Sequence, residues 1–115
     1  MRFKLIISMA KQEWTDSLVD AAREAGATGA TIISHTKGEG VEVVKTFLGM
    51  PLEEQSDVIL FLVEEHLSRT ILETLEQVGN MQEKHTGIAF QIDVEDAVGV
   101  SHQVSELTPL VDELM

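Results

Sequence analysis

Apolar residues recur at every second position between residues 88 and 94, and this is the clearest pattern in the chain. Ile88, Phe90, Ile92 and Val94 alternate with small or polar residues, which is typical of a β-strand with one buried and one more polar face. A shift of one residue would expose the whole apolar set, so the pairing of this strand is expected to be well specified. Gly87 precedes the strand, where a glycine permits close approach of another backbone or of a ligand.

Other segments have the hydrophobic patterns of further β-strands and of amphipathic helices. Alternation predicts a strand over residues 3–9, and a β-branched run predicts a second strand over residues 30–36. Residues 57–63 are continuously apolar after Asp57, which favours a central strand covered on both faces. Apolar residues at helical spacing predict helices over residues 14–25 and 67–78.

The ends of the two helices carry capping signals. Thr15 is predicted to be the N-cap of the first helix, with Trp14 before it packing onto Val19. Gly26 and Gly79 follow the last apolar residues of the two helices and are predicted to end them.

Two segments have a less regular pattern. The segment from residue 37 to residue 56 begins with Gly38 and Gly40, contains a proline, and is expected to be a mobile loop. The tail from residue 100 has apolar residues at helical spacing, interrupted at Thr108-Pro109.

The predicted order is β-α-β, a long loop, and β-α-β within a single domain, residues 1–115. Two such right-handed units in one sheet predict an α+β, ferredoxin-like βαββαβ sandwich: a four-stranded antiparallel sheet with two helices on one face. Apolar residues remain on both strand faces, at Ile6, Ile33, Ile59 and Phe61, so the open face needs a cover. Oligomerisation through the sheet is the expected cover.

The charge balance argues against several classes of partner. Eight basic and twenty acidic residues give a net charge of −12, which disfavours nucleic acid and anionic membrane surfaces. No apolar run approaches the roughly 20 residues that span a bilayer, and the apolar start is too short for a signal peptide. Direct membrane insertion is therefore not expected. The absence of cysteine excludes disulfides and fits a reducing, cytoplasmic location.

The ionisable residues form no catalytic or metal-binding pattern. The four histidines lack ligand spacing, so we predict no metal site and no enzymatic activity. Glu64, Glu65 and His66 are better explained as charge and capping at a helix N-terminus than as a catalytic carboxylate pair. Residues 84–87 place a lysine three positions before a glycine, around which backbone amides can form an anion-binding nest; an ordinary helix–strand connection is the favoured alternative.

Three segments together resemble the PII signal-transduction family: residues 25–31, 37–40 and 94–98, the last with the sequence Val-Glu-Asp-Ala-Val. The order of elements agrees with that family over nearly the whole chain. The resemblance implies a homotrimer with nucleotide sites in the clefts between subunits. It also implies a mobile loop, about residues 37–56, that docks on a partner such as a membrane transporter or a metabolic enzyme, as in nitrogen regulation. The C-terminal segment would be residues 99–115.

The resemblance also implies which residues border these sites. The expected effector-binding residues are Thr31, Gly38, Gly40, Lys84, His85, Thr86 and Gly87. The expected partner-docking residues of the loop are Lys37, Glu39, Lys45 and Phe47.

Three positions depart from the phosphate-binding pattern of that family. A lysine after the glycine and two arginines after the Val-Glu-Asp segment are replaced here by Ile88, Gly99 and Ser101. Each charge-assisted contact to phosphate is worth about 1.5–3 kcal/mol, so the resemblance implies a weakened ATP site. An adenine nucleoside monophosphate, a small anion or no ligand then becomes the expectation. The chain has no tyrosine, which excludes the tyrosyl nucleotidylation found on the loop of some members.

Two alternative functions use the same fold. The first is a metal-responsive trimeric protein with histidine and carboxylate ligands. The second is a small enzyme acting in the same cleft, for which the sequence offers no nucleophile with a positioned base.

Overall fold

A four-stranded antiparallel sheet with two helices on one face forms the body of the chain. The computed structural model describes residues 1–34, 45–47, 50–52, 56–83 and 86–100. Within these residues the strands are β1 (Phe3–Lys11), β2 (Thr31–Ser34), β3 (Lys45–Phe47), β4 (Met50–Leu52), β5 (Ser56–Glu64) and β6 (Gly87–Val94), and the helices are α1 (Thr15–Glu24) and α2 (Glu65–Val78). A 3-10 turn, Gln12–Trp14, connects β1 to α1.

The strand order in the sheet is β2-β5-β1-β6, and all neighbouring strands are antiparallel. This order and the two helices confirm the predicted ferredoxin-like α+β fold. The predicted central position of β5 is also confirmed, because β5 pairs with β1 on one side and with β2 on the other. The two edges of the sheet are β2 and β6.

The face of the sheet that carries the helices holds the core. Ile6, Ile59 and Phe61 lie on this face and are at most 1% exposed. They belong to one buried cluster with helix residues such as Leu18 and Ile71. Full burial of a side chain of this size is worth about 1.5–3 kcal/mol, so this layer supplies most of the stability of the single chain.

The opposite face of the sheet, called the open face below, is apolar and has no helix of the described chain on it. Strand register places nine apolar side chains there: Leu5, Ile7, Met9, Val58, Leu60, Leu62, Ile88, Phe90 and Ile92. Most of them are half-buried by their neighbours, and Ile92 is 48% exposed. Ile33 of β2, opposite Val58, is 53% exposed on the same face.

Two predictions about faces are corrected by this register. Of the four residues predicted to need a cover, Ile6, Ile59 and Phe61 lie under the helices, and Ile33 alone lies on the open face. The alternating apolar set of β6 was predicted to form a buried face, but in the single chain Ile88, Phe90 and Ile92 lie on the open face, and Val94 alone of the set packs against the core. Alternation separates the two faces of a strand, but it does not say which face the helices cover.

The ends of the helices agree with the sequence at both glycines, since Gly26 and Gly79 end α1 and α2 as predicted, and differ at the start of α1. Gly26 ends α1 in a left-handed turn with φ +119°, and the amide of Ala27 donates to the carbonyl of Ala22 at 2.9 Å, as in a Schellman motif. Thr15 is not the N-cap: Trp14 holds that position without a side-chain cap, because the 3-10 turn runs directly into α1.

This change alters the predicted packing of Trp14 as well. The staple onto Val19 requires the residue before the N-cap, whereas Trp14 is the N-cap itself. At the end of α2, Gly79 is the C-cap with φ −84°, and the left-handed residue is Asn80, with φ 52°.

The loop and the tail are described only in part. Residues 37–56 were predicted to be a mobile loop, and within them the structure describes the antiparallel pair β3–β4, with Lys45 opposite Leu52. The rest of that loop, residues 35–36 of the predicted second strand and the tail from residue 101 lie outside the described residues. Among the helices that the structure describes, none combines the length and the apolar character needed to cross a membrane.

Ser8 provides a test of the packing under the helices. Its hydroxyl is fully buried, and it has no hydrogen-bond partner within the described residues. We expect Ser8→Ala to stabilise the protein by about 1 kcal/mol in urea unfolding, because an unpaired buried hydroxyl is removed. The matched control is Ser68→Ala, since the buried Ser68 hydroxyl donates to the carbonyl of Glu65 at 2.8 Å. Equal effects of the two substitutions would contradict this explanation.

Candidate functional site

The described candidate residues are located here relative to one end of the sheet, where β2 ends and β5 begins. Strand register aligns Ser34, Asp57, Ala10 and Gly87 in a row across all four strands, called the end row below. Of the predicted residues, Gly87 lies in the end row and Thr86 directly precedes it. Thr31 lies on β2, three residues before Ser34. Six others lie outside the described residues: Lys37, Gly38, Glu39, Gly40, Lys84 and His85. For Lys45 and Phe47 the structure gives only their place on β3.

Gly87 is a glycine because another strand passes close to it. It is buried at the start of β6, opposite Ala10 of β1. A Cβ atom at Gly87 would lie 2.7 Å from the carbonyl oxygen of Met9 and 3.1 Å from the Cβ of Ala10. The backbone at this corner of the sheet therefore leaves no space for a side chain toward β1.

Thr86 shapes the connection between α2 and β6. Its hydroxyl lies 2.8 Å from the carbonyl oxygen of Asn80 and 3.1 Å from that of Glu83, so one hydrogen is shared between two acceptors. The turn between Asn80 and Thr86 is closed by these contacts. Thr86 therefore acts first as a residue that positions the loop before Gly87, and its hydroxyl hydrogen is already engaged.

Thr31 and Gly87 lie on opposite edges of the sheet. Thr31 is on β2, Gly87 is on β6, and two strands lie between them. Three strand intervals of about 4.8 Å separate them by roughly 14 Å across the sheet. Thr31 is also three residues away from the end row along β2, because its partner on β5 is Leu60. Among the described residues, one chain therefore does not bring Thr31 close to Thr86 and Gly87.

A cleft of about 350 Å³ lies beside Gly87, between α2 and β6. Its lining residues are Arg69, Leu72, Glu73, Glu76, Met81, Gly87, Ile88 and Ala89. Arg69 is the cation of this lining, and its Nε donates to Glu73 Oε1 at 2.9 Å. Among the lining residues that the structure describes, two carboxylates stand against one paired guanidinium, which disfavours a polyphosphate.

A second cleft, of about 830 Å³, lies at the other end of the sheet, where β1 begins and β6 ends. Arg2 and Lys4 meet Asp93, Glu95 and Asp96 there. Lys4 forms an ion pair with Asp93, and this hydrogen bond and charge hold the pKa of the Asp93 carboxyl below its usual value. Asp93 is 81% exposed, so the pair contributes little to stability.

The acidic group at the start of α2 has the predicted capping role. The Glu64 carboxylate accepts from the His66 amide at 2.6 Å and lies 2.7 Å from His66 Nδ1. Glu64 is 1% exposed and is the N-cap of α2, which confirms capping. Ligand atoms of Glu64, Glu65 and His66 lie within 4.8 Å of one another, but both Glu64 oxygens are already engaged by His66.

Sequence reasoning missed Asp57 and Arg69. Asp57 is a buried carboxylate in the end row, and Arg69 is the cation that lines the described cleft beside Gly87. An acidic residue at the start of an otherwise apolar strand is the sequence signal for Asp57. Arg69 gives no such signal, because an exposed arginine on a helix with Glu73 four residues later is a common surface pair.

Comparison with known proteins relates this framework to one family. The sequence model described as "Nitrogen regulatory protein P-II" matches residues 3–103. A search of curated proteins finds no match.

Solved structures with the same fold come from PII-like proteins. A PII-like signalling protein from Thermus thermophilus has a TM-score of 0.59 and 21% identity, covering 82% of this chain and 87% of its own. CPII from Thiomonas intermedia, bound to ADP, AMP and bicarbonate, has a TM-score of 0.61 and 23% identity, covering 84% and 97%. CPII bound to ADP, AMP and acetate has a TM-score of 0.56 and 23% identity, covering 83% and 90%. At these identities the likeness concerns the fold.

Proposed function

The chain belongs to the nitrogen regulatory protein P-II family, and from this we propose that it is a cytoplasmic regulatory homotrimer that binds a small effector between subunits. The members of this family are signalling proteins: they regulate other proteins and are not enzymes themselves. The effector would change the loop at residues 37–56, with Lys37, Glu39, Lys45 and Phe47 presented to a protein partner. A membrane transporter or a metabolic enzyme is the class of partner we propose.

The position of the candidate residues on opposite sheet edges is the observation that carries this proposal. Thr31 lies on the β2 edge and Gly87 on the β6 edge, so a shared site requires the β2 edge of one copy beside the β6 edge of the next. Such a contact is heterologous, and it closes into a ring if the rotation between copies is right. A ring of three copies also places the apolar open faces against one another, which removes them from water.

The charge of the chain restricts the effector. Ile88, Gly99 and Ser101 stand where the family has cations, and Gly99 has φ +77°, a conformation that arginine adopts only with strain. The cleft beside Gly87 adds two carboxylates to a chain of net charge −12. We therefore propose an adenine nucleotide with few phosphates or a small anion. The ADP, AMP and bicarbonate bound by the structurally similar CPII make these the first ligands to test.

A thermal-shift screen with ATP, ADP, AMP, cyclic AMP and bicarbonate, with and without magnesium, tests the effector. A ligand at 100 times its dissociation constant stabilises by about 2.7 kcal/mol, enough to raise Tm by several degrees. We expect AMP or bicarbonate to give a larger shift than ATP at equal concentration. A dominant ATP response would overturn the proposed ligand class. No response to any of the five would overturn the effector proposal. The proposed trimer would still be tested separately, by the mass of the protein in solution.

Restoring one cation tests the role assigned to Ile88. We expect Ile88→Lys to tighten ATP binding by about tenfold or more relative to AMP, because a charge-assisted contact to phosphate is gained. Isothermal titration with both nucleotides measures the change, and Ile88→Met is the control of similar length without charge. Because Ile88 lies on the open face, the mass of each variant is checked first. An equal gain for ATP and AMP, or none, would contradict the assigned role.

A further inference from the structure

Asp57 is a buried carboxylate whose hydrogen bond joins the sheet to the first turn of α1. The Thr15 hydroxyl donates to Asp57 Oδ2 at 2.6 Å. Thr15 is 6% exposed and Asp57 is 4% exposed. Burying a carboxylate is costly unless it is hydrogen-bonded, and a bond to a charged acceptor is stronger than one between neutral groups. This contact is therefore a strong link between residues 42 positions apart in the chain.

The link also places a carboxylate beside the first residue of α1. The N-cap residue Trp14 makes no side-chain cap hydrogen bond, and Thr15 is the first residue of this ten-residue helix. A negative charge near a helix N-terminus is favoured by the helix dipole. Asp57 thus supplies from β5 the favourable charge that the helix's own N-cap does not provide.

Asp57 also lies in the middle of the end row. It is opposite Ser34, the last residue of β2, and opposite Ala10, which in turn is opposite Gly87, the first residue of β6. A displacement of Asp57 would therefore reach both Ser34 and Gly87 through direct strand neighbours. Within the end row, Asp57 is the member that this hydrogen bond ties to the helix layer.

We propose that Asp57 is a positioning residue: its bond to Thr15 holds the ends of β2, β5 and β6 in place against α1. The functional meaning rests on the proposed function, because the candidate effector site borders Gly87 in the same row. The structural part of the proposal, that this hydrogen bond holds the strand ends in place, does not depend on an effector. It can therefore be tested on the ligand-free chain, separately from the proposed function.

Two substitutions at Thr15 separate the hydrogen bond from packing. Thr15→Val keeps the shape of the side chain and removes the hydroxyl, whereas Thr15→Ser keeps the hydroxyl and removes a methyl group. The control for loss of a threonine hydroxyl elsewhere is Thr74→Val, because Thr74 donates within α2 to the carbonyl of Thr70 at 2.8 Å.

Amide hydrogen exchange followed by NMR on the full chain gives the readout. In Thr15→Val we expect exchange to accelerate by about tenfold in residues 31–34, 56–58 and 87–89, because local opening becomes easier when this bond is lost. Residues 3–5 and 92–94, at the other end of the sheet, should keep their parent rates. Thr15→Ser and Thr74→Val should behave like the parent in both regions.

Several results would overturn the proposal. Equal acceleration at both ends of the sheet would indicate a general loss of stability, and unchanged rates would indicate that the bond holds nothing in place. Thr15→Ser behaving like Thr15→Val would assign the effect to packing. If Thr15→Val does not fold, Asp57→Asn replaces it: the size is kept and the charged acceptor becomes a neutral one, so a smaller acceleration confined to the same residues is expected, with the same contrary outcomes. A failed effector screen would leave each of these results interpretable.

Discussion

Replacing Ile7 by glutamate is expected to convert the proposed trimer of three 12.7 kDa chains, about 38 kDa, into single chains. Ile7 lies in the middle of the open face, opposite Leu60 on one side and Phe90 on the other. In a trimer closed through this face, the new carboxylate would be buried among apolar side chains. An unpaired buried charge costs several kcal/mol at each of three positions, more than an interface of this kind tolerates.

The single chain should survive the same substitution. Ile7 is half-buried on the open face, whereas the core beneath the helices is built from other residues of β1 such as Ile6. Far-ultraviolet circular dichroism should therefore remain close to that of the parent, while light scattering reports the lower mass. Glutamate in a free chain has water on the open side, so the cost falls on assembly.

Thr70→Glu is the matched control, because Thr70 is exposed on α2 and the substitution adds the same charge on the helix side. It should keep the trimeric mass. A parent protein with the mass of one chain would remove the trimer from the proposed function. A trimeric Ile7→Glu variant would show that the copies meet through a surface other than the open face.

The strands could be predicted from the sequence because alternation with a period of two is a local property. Which face of each strand the helices cover is not a local property. The alternation from Ile88 to Ile92 located β6 correctly and left open which side the helices would take. Strand register decides this, because Gln91 of β6 is opposite Ile6, a residue buried beneath the helices. Register depends on contacts between residues about 85 positions apart, and such contacts are not contained in a local pattern.

The candidate site was predictable in its parts and not in its arrangement. Gly87 was singled out as a position of close backbone approach, and the approach of β1 is confirmed, because a Cβ atom at Gly87 would lie 2.7 Å from the Met9 carbonyl oxygen. Thr86 was predicted to bind an effector, and this stays a prediction; its hydroxyl hydrogen is shared between the carbonyls of Asn80 and Glu83. The role of Thr15 was missed because its acceptor, Asp57, is distant in sequence, and a local cap was the simpler expectation.

Gly87→Ala is expected to lower the free energy of unfolding by about 3 kcal/mol, the upper part of the usual range for overpacking. The added methyl group would lie 2.7 Å from the Met9 carbonyl oxygen, which belongs to the backbone of a central strand. A flexible side chain could move away at little cost, but this carbonyl can move only together with β1. Because β1 pairs with both β5 and β6, its displacement would disturb two strand ladders.

Gly29→Ala is the control for the general effect of replacing a glycine. A Cβ atom at Gly29 would have no neighbour within 4 Å. This substitution should therefore be neutral or raise stability by about 0.4–1 kcal/mol through the unfolded state. Urea unfolding of both variants measures the difference. Similar free energies of unfolding for the two variants would mean that β1 is displaced at little cost. The explanation of Gly87 as a packing requirement would then be wrong.

The same pair of variants separates two roles of Gly87. If the glycine serves packing alone, a ligand that stabilises the parent should stabilise Gly87→Ala by the same increment, because linkage depends on the affinity of the folded state. If the backbone amides around Gly87 also bind the effector, the displaced strand start should reduce that increment as well. The amount by which the ligand raises Tm in each variant therefore distinguishes a structural glycine from one that also shapes the proposed anion-binding corner.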